Sequence, residues 1–224
     1  MNKKRQRIKY FNISFILLIT VSIVILGSTN TILSTNNTNK STYSKKVSLD
    51  GYLFLGDSYT VLLQETIEKH LPNAIVLGQI GVQPGYWNEN FDVLPDNDKV
   101  KGVVLLIGVN GASFDDNIPN TEKLIDSLVK KYKNKTIYVE KVFPVGKNFS
   151  NADPDTFNKA IESHNKEIKT YCEKYDNVIF IDTTKDLITE NGYLKYTKDG
   201  LHIISDKQED FYNNIVDAVN NITY

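Results

Sequence analysis

At 224 residues the chain is long enough for one domain with a sizeable core and a short extension. Its 26 Lys and Arg balance 27 Asp and Glu, giving a formal net charge of -1. No basic excess points to nucleic acid and no acidic excess to a solvating tail. The single cysteine, Cys172, excludes an intramolecular disulfide, and no Cys/His cluster has zinc-ligand spacing, so no metal is expected.

Lys3, Lys4, Arg5, Arg7 and Lys9 precede an apolar run over residues 11–27. A positive stretch followed by an apolar one is the pattern of a secretory signal or a signal anchor. The run falls short of the roughly 20 residues of a comfortable span, and it lacks an A-x-A cleavage site. Gly27 and Ser28 are small enough for cleavage, whereas residues 29–33 would extend an uncleaved anchor; both outcomes stand. No cysteine follows the run, which argues against a lipoprotein anchor. Basic residues ahead of it favour a cytoplasmic N-terminus, so the rest of the chain is expected outside the membrane, tethered or secreted. Residues 1–27 are thus read as signal peptide or anchor. Residues 28–48, rich in Ser, Thr, Asn and Lys, read as a flexible linker, and 49–224 as the folded domain.

Within that domain short apolar runs alternate with helical patterns. Residues 52–55 predict a first strand and 59–70 a helix, with His70 at its C-terminal end, where a cation suits the helix dipole. Strands are predicted over 74–77 and 101–107, then a helix carrying Leu124, Ile125, Leu128, Val129 and Tyr132 at helical spacing. A strand over 136–142 leads to a helix opened by Asp153-Pro154, an N-cap before a first-turn proline. Its apolar face holds Phe157, Ile161, Ile168, Cys172 and Tyr175, with His164 on the same face, so Cys172 and His164 are read as core residues. After a strand over 178–181, the sequence Ser205-Asp-Lys-Gln208 reads as a capping box for the last helix. Strands this apolar suit a sheet buried on both faces. The fold class is α/β: a three-layer αβα sandwich around a five-stranded parallel sheet, flavodoxin-like, with right-handed crossovers.

In such sheets ligands sit beyond the carboxyl ends of the strands. Three polar segments belong there: Gly56-Asp57-Ser58 after the first strand, Gly108-Val109-Asn110-Gly111 after the third, and Asp199-Gly200-Leu201-His202 before the last helix. Singly, each has a plainer explanation. Gly-Asp-Ser is often a turn with the serine as helix cap, Gly-x-Asn-Gly a tight turn, and Asp-x-x-His a helix entry. Together they supply every part of an acyl-transfer site. A serine hydroxyl needs an adjacent base; His202 is of that type, and Asp199 is placed to orient its ring. The Ser58 backbone N–H and the Asn110 amide are candidate donors to an oxyanion, with a glycine of the loop after the second strand as a third.

Gly56-Asp57-Ser58-Tyr59-Thr60 resembles the first block of the SGNH (GDSL-like) hydrolase superfamily. Gly108-Val109-Asn110-Gly111 resembles the block bearing its oxyanion asparagine, and Asp199-Gly200-Leu201-His202 its closing Asp-x-x-His. The resemblance runs over roughly residues 51–220. It implies Ser58 as nucleophile, His202 as general base and acid, Asp199 as orienting carboxylate, and Asn110 with the Ser58 amide in the oxyanion hole. The glycine block falls within residues 78–87, where Gly85 is chosen because it directly precedes an expected helix start; Gly81 is the rival, and Pro84 has no N–H to offer. Asp57 would brace the turn. Two departures stand out. Gly111 replaces an aspartate common in relatives, a variant resembling peptidoglycan O-acetyltransferases and some surface-polysaccharide esterases. Tyr59-Thr60 replaces the name-giving leucine.

The resemblance implies a serine esterase without cofactor. With the N-terminal segment, the expected substrate is an acyl ester, an O-acetyl group on a cell-wall or surface glycan, and the expected membrane contact is that segment. Tyr86 and Trp87 are candidate sugar-stacking residues. A glycan O-acetyltransferase using the same triad is the alternative, and a non-catalytic glycan-binding or scaffold domain the alternative of another class.

Overall fold

A computed structural model describes residues 46–222. The apolar N-terminal run and residues 28–45 of the expected linker lie outside the described residues. Val47 already takes part in the fold: its N–H donates to Asn220 Oδ1 at 2.7 Å.

Five parallel strands form one sheet in the order β2-β1-β3-β4-β5. They are β1 (Leu53–Gly56), β2 (Ile75–Gly78), β3 (Gly102–Leu106), β4 (Thr136–Glu140) and β5 (Val178–Ile181). The helices are α1 (Ser58–His70), α2 (Pro84–Glu89), α3 (Asn117–Lys131), α4 (Pro154–Cys172) and α5 (Gln208–Asn220). Side chains alternate across a strand, and both faces of the sheet are apolar here. Phe54, Val104 and Tyr138 pack with Leu63 and Ile67 of α1 and Phe211, Ile215 and Val219 of α5. Leu53, Leu55, Val103, Leu105, Ile137 and Val139 pack with α3 and with Trp87, Ile168 and Cys172. Each such fully buried side chain contributes about 1.5–3 kcal/mol.

The first crossover, through α1, carries the chain one way along the sheet on one face; those through α2, α3 and α4 carry it the other way on the opposite face. Reversing direction and face together keeps a single hand of crossover. The reversal falls between β1 and β3, so the crevice of this strand order opens where Gly56-Asp57-Ser58 and Gly108-Val109-Asn110 emerge.

Several predicted boundaries moved, for identifiable reasons. The strand predicted to residue 142 leaves the sheet after Glu140, because the Asn165 side chain of α4 takes both Val142 backbone groups, at 2.8 Å to the N–H and 2.9 Å to the carbonyl. The capping box before α5 does not form. Residues Ser205–Lys207 make a 3-10 turn, and Gln208 Nε2 turns to the Ile203 carbonyl at 2.8 Å. Helix α2 starts at Pro84, so Gly85 lies inside its first turn rather than ahead of it. Cys172 is buried in the core, where burial pushes its thiol up to about 12.

Candidate active site

The turn after β1 decides what Ser58 is free to do. Asp57 is the cap of α1: its Oδ1 accepts the Tyr59 N–H at 3.0 Å. Ser58 therefore occupies the first helical position, with its hydroxyl relieved of capping and its backbone N–H without an intrahelical acceptor. Gly56 makes the approach possible, since a Cβ there would lie 2.2 Å from the Leu106 carbonyl oxygen and from Thr60 Oγ1.

His202 arrives on a small closed loop. Thr197 and Ile203 form an antiparallel bridge, and Gly200 turns the tip with φ of +79°. Asp199 organises that tip: Oδ1 accepts the N–H groups of Leu201 (2.9 Å) and His202 (2.8 Å) and the Thr197 hydroxyl (3.1 Å). Its Oδ2 lies 2.7 Å from His202 Nδ1, and His202 Nε2 lies 2.8 Å from Ser58 Oγ. A carboxylate at Nδ1 places the proton there and leaves Nε2 as the acceptor facing the serine hydroxyl. Partial burial works to raise the Asp199 pKa, but the hydrogen bonds from His202 and Leu201 outweigh it and hold the carboxyl well below the usual range.

The loop from Gly78 and the loop after β3 flank this row. Asn110 donates from Nδ2 to the Val82 carbonyl at 3.1 Å, which leaves its second amide hydrogen without a partner among the described residues. Asn117, the first residue of α3, braces the loop from below, with Nδ2 2.8 Å from the Asn110 carbonyl and 3.2 Å from that of Gly108. Gly81 (φ of +75°) and Gly85 both line a surface cleft with Gln83 and Asn120.

Ser58, His202 and Asp199 are thus brought into one hydrogen-bonded row, with Asn110 on the same edge of the sheet. Trp87 requires a correction. It is buried, 4% exposed, and its indole N–H donates to the Gly56 carbonyl at 3.0 Å. A ring enclosed in the core offers no face to a sugar, and its role is to hold the turn before Ser58. Tyr86 is on the surface, edge-on to Trp87 at 5.1 Å between centroids. His164 is a core residue as read: burial pushes it down to about 4, and a Cβ on Gly108 would meet its ring nitrogen at 2.6 Å. His70 lies 2.6 Å from Glu209 Oε1 and stacks on Tyr212.

Sequence reasoning missed three groups. Tyr59, noted only as a departure, is buried, donates its hydroxyl to the Leu201 carbonyl and packs its ring 5.9 Å from that of His202. Asn117 gave no signal apart from its place at a helix start. Glu140 ends β4 fully buried, accepting from Thr183 Oγ1 at 3.0 Å. Burial, with the neighbouring charge of Asp57, pushes it up to about 8. Asp57 is itself pushed up to about 7 by burial, and its Oδ2 has no partner among the described residues.

A cleft of about 600 Å³ between α4 and residues 188–193 takes none of these residues. A smaller one of about 280 Å³ includes Asn110 and Leu201, the neighbour of His202.

Residues 42–204 match the family described as GDSL-like lipase/acylhydrolase. No curated protein sequence matches the chain significantly. Among solved structures, a candidate platelet activating factor from Streptococcus pneumoniae is 24% identical, with TM-score 0.67 over 79% of this chain and 86% of that one. An acetylxylan esterase from Geobacillus stearothermophilus is 16% identical, with TM-score 0.57 over 78% and 96%. The C-terminal catalytic domain of the Streptococcus pneumoniae peptidoglycan O-acetyltransferase A is 20% identical, with TM-score 0.53 over 76% and 92%. At these identities the likeness is one of fold.

Proposed function

Because the chain belongs to the GDSL-like lipase/acylhydrolase family of ester-hydrolysing enzymes, we propose that it removes O-acetyl groups from a cell-wall or surface glycan outside the membrane, through a Ser58-His202-Asp199 triad. The observation that carries the reading is the continuous row from Asp199 Oδ2 through both His202 nitrogens to Ser58 Oγ, at 2.7 and 2.8 Å. The extracytoplasmic placement is supported by the basic residues followed by the apolar run at 11–27. Similarity of fold to an acetylxylan esterase supports the O-acetyl reading.

In this scheme His202 Nε2 accepts the Ser58 proton as Oγ attacks the ester carbonyl carbon. The oxyanion is met by the Ser58 N–H, the free amide hydrogen of Asn110, and a glycine N–H from Gly85 or Gly81. Ser58 at the first position of α1 also places the developing charge at the positive end of a helix dipole. The carbon–oxygen bond to the sugar breaks, the sugar oxygen takes the proton from His202, and an acetyl-Ser58 remains. Water then loses a proton to His202 and attacks the acetyl carbon, the bond to Ser58 Oγ breaks, Oγ takes that proton back from His202, and acetic acid leaves. Asp199 steadies the imidazolium in both halves without itself taking the proton.

The test uses the full chain purified in detergent. Wild type should hydrolyse p-nitrophenyl acetate and form one fluorophosphonate adduct, on Ser58. Ser58→Ala should lose about 10³-fold or more in kcat, the scale at which removal of a triad nucleophile is felt. No turnover by wild type, equal turnover by the variant, or an adduct on another serine overturns the reading.

A further inference from the structure

The cleft of about 280 Å³ beside the triad has a lining with a definite chemistry. Phe114, Phe149 and Phe157 supply aromatic surface, Asn110, Ser113 and Asn151 supply polar groups, and no lining side chain carries a charge. Phe149 and Phe157 support one another, with centroids 5.2 Å apart. Phe114 is 57% exposed. It is held there by the turn at Gly111, where φ is +75° and the Phe114 N–H donates to the Gly111 carbonyl at 2.8 Å. The Ser113 and Asn151 side chains have no hydrogen-bond partner among the described residues.

Three occupants can be weighed against that lining. A phosphate or a uronate carboxylate would enter without a cation to meet it, and a desolvated unpaired charge is costly. An alkyl chain would strip water from Ser113, Asn110 and Asn151 and return nothing to them. A neutral pyranose has an apolar C–H face to lie on an aromatic ring and hydroxyls at its rim for amide and hydroxyl groups. The cleft also adjoins the row of Ser58, His202 and Asp199, since Asn110 and Leu201, the neighbour of His202, both line it.

We propose that this cleft is the subsite for the neutral sugar bearing the ester, with Phe114 as its stacking platform and as a specificity-determining residue. The proposal rests on the esterase reading and sharpens its substrate to an uncharged O-acetylated glycan. It also assigns to Phe114 the stacking role that Trp87, buried under the Gly56 carbonyl, is unable to play.

The full chain is assayed on three esters: an O-acetylated xylo-oligosaccharide as neutral sugar, O-acetylated galacturonan as anionic sugar, and p-nitrophenyl octanoate as alkyl ester. Ethyl acetate serves as the ester without a sugar. Wild type should favour the neutral sugar in kcat/KM. Phe114→Ala should lower kcat/KM for that sugar about 10-fold relative to its effect on ethyl acetate, through KM, as expected for loss of one aromatic contact. Phe114→Trp should restore it. Binding of the unacetylated oligosaccharide to the Ser58→Ala variant, followed by calorimetry, should weaken in step when Phe114→Ala is added. A preference for the octanoate or the galacturonan overturns the proposal, as does an equal effect of Phe114→Ala on both the sugar ester and ethyl acetate. If wild type fails on ethyl acetate yet binds the oligosaccharide through Phe114, the esterase reading falls and the sugar subsite stands.

Discussion

The Tyr59 hydroxyl donates to the Leu201 carbonyl, so the residue after Ser58 is tied to the residue before His202. The same ring stacks on Phe143 at 5.4 Å and lies against His202. One side chain at the start of α1 therefore links the segment bearing Ser58 to the loop bearing His202, 142 residues away from it in sequence. Tyr59→Phe keeps the ring and removes only the hydrogen bond. Its kcat on p-nitrophenyl acetate should fall about 2- to 10-fold with KM little changed, the worth of one buried hydrogen bond. Tyr59→Leu, which also removes the stacking, should fall further. A drop in melting temperature with kcat intact would show that the bond serves only the fold.

Asp199→Asn should leave the loop formed but weaken the hold on the His202 tautomer. We expect kcat to fall by about 10²- to 10⁴-fold, with a smaller change in melting temperature. The sign of its pH linkage follows from the depressed pKa. A carboxyl whose folded pKa lies below its unfolded value stabilises the fold above the unfolded value, and loses that contribution as pH falls through the folded one. The wild-type carboxylate thus stays charged through mildly acidic pH, and the melting-temperature difference between wild type and Asp199→Asn should be constant from pH 5 to 8.

Glu140 behaves in the opposite sense. Its folded pKa of about 8 lies above the ordinary glutamate value of 4.5, so the folded state holds the proton that the unfolded chain gives up between those values. Stability falls as pH rises across that window. Glu140→Gln keeps a hydrogen-bonding group facing Thr183 and removes the ionisation, and with it the repulsion with Asp57. The variant should match wild type near pH 5 and melt at a higher temperature at pH 8 to 9. A difference independent of pH would show that Glu140 does not carry this linkage.

Much of the architecture was legible because its causes are local. Strand cores such as residues 103–106 are apolar runs, and the opening of α4 carries its own cap, with Asp153 Oδ2 accepting the Thr156 N–H at 2.9 Å. The errors arose where a local pattern was overruled by a partner distant in sequence. Val142 was drawn out of β4 by Asn165, Gln208 was drawn away from Ser205 by the Ile203 carbonyl, and Trp87 was buried by a carbonyl 31 residues before it.

The sequence by itself determined which chemistry is available: a serine directly after the first strand, and an aspartate and a histidine in the segment before the last helix. It also carried the family resemblance, since those residues stand in a fixed order. Only the tertiary structure decided that Asp57 caps the helix and so frees the Ser58 hydroxyl. The same holds for Tyr59 bridging to the histidine loop and for Phe114, rather than Trp87, meeting solvent beside the site. The reason is physical. Residue types and spacing set what each group can donate or accept, whereas burial and hydrogen-bond partners depend on which distant segments share the same few ångströms.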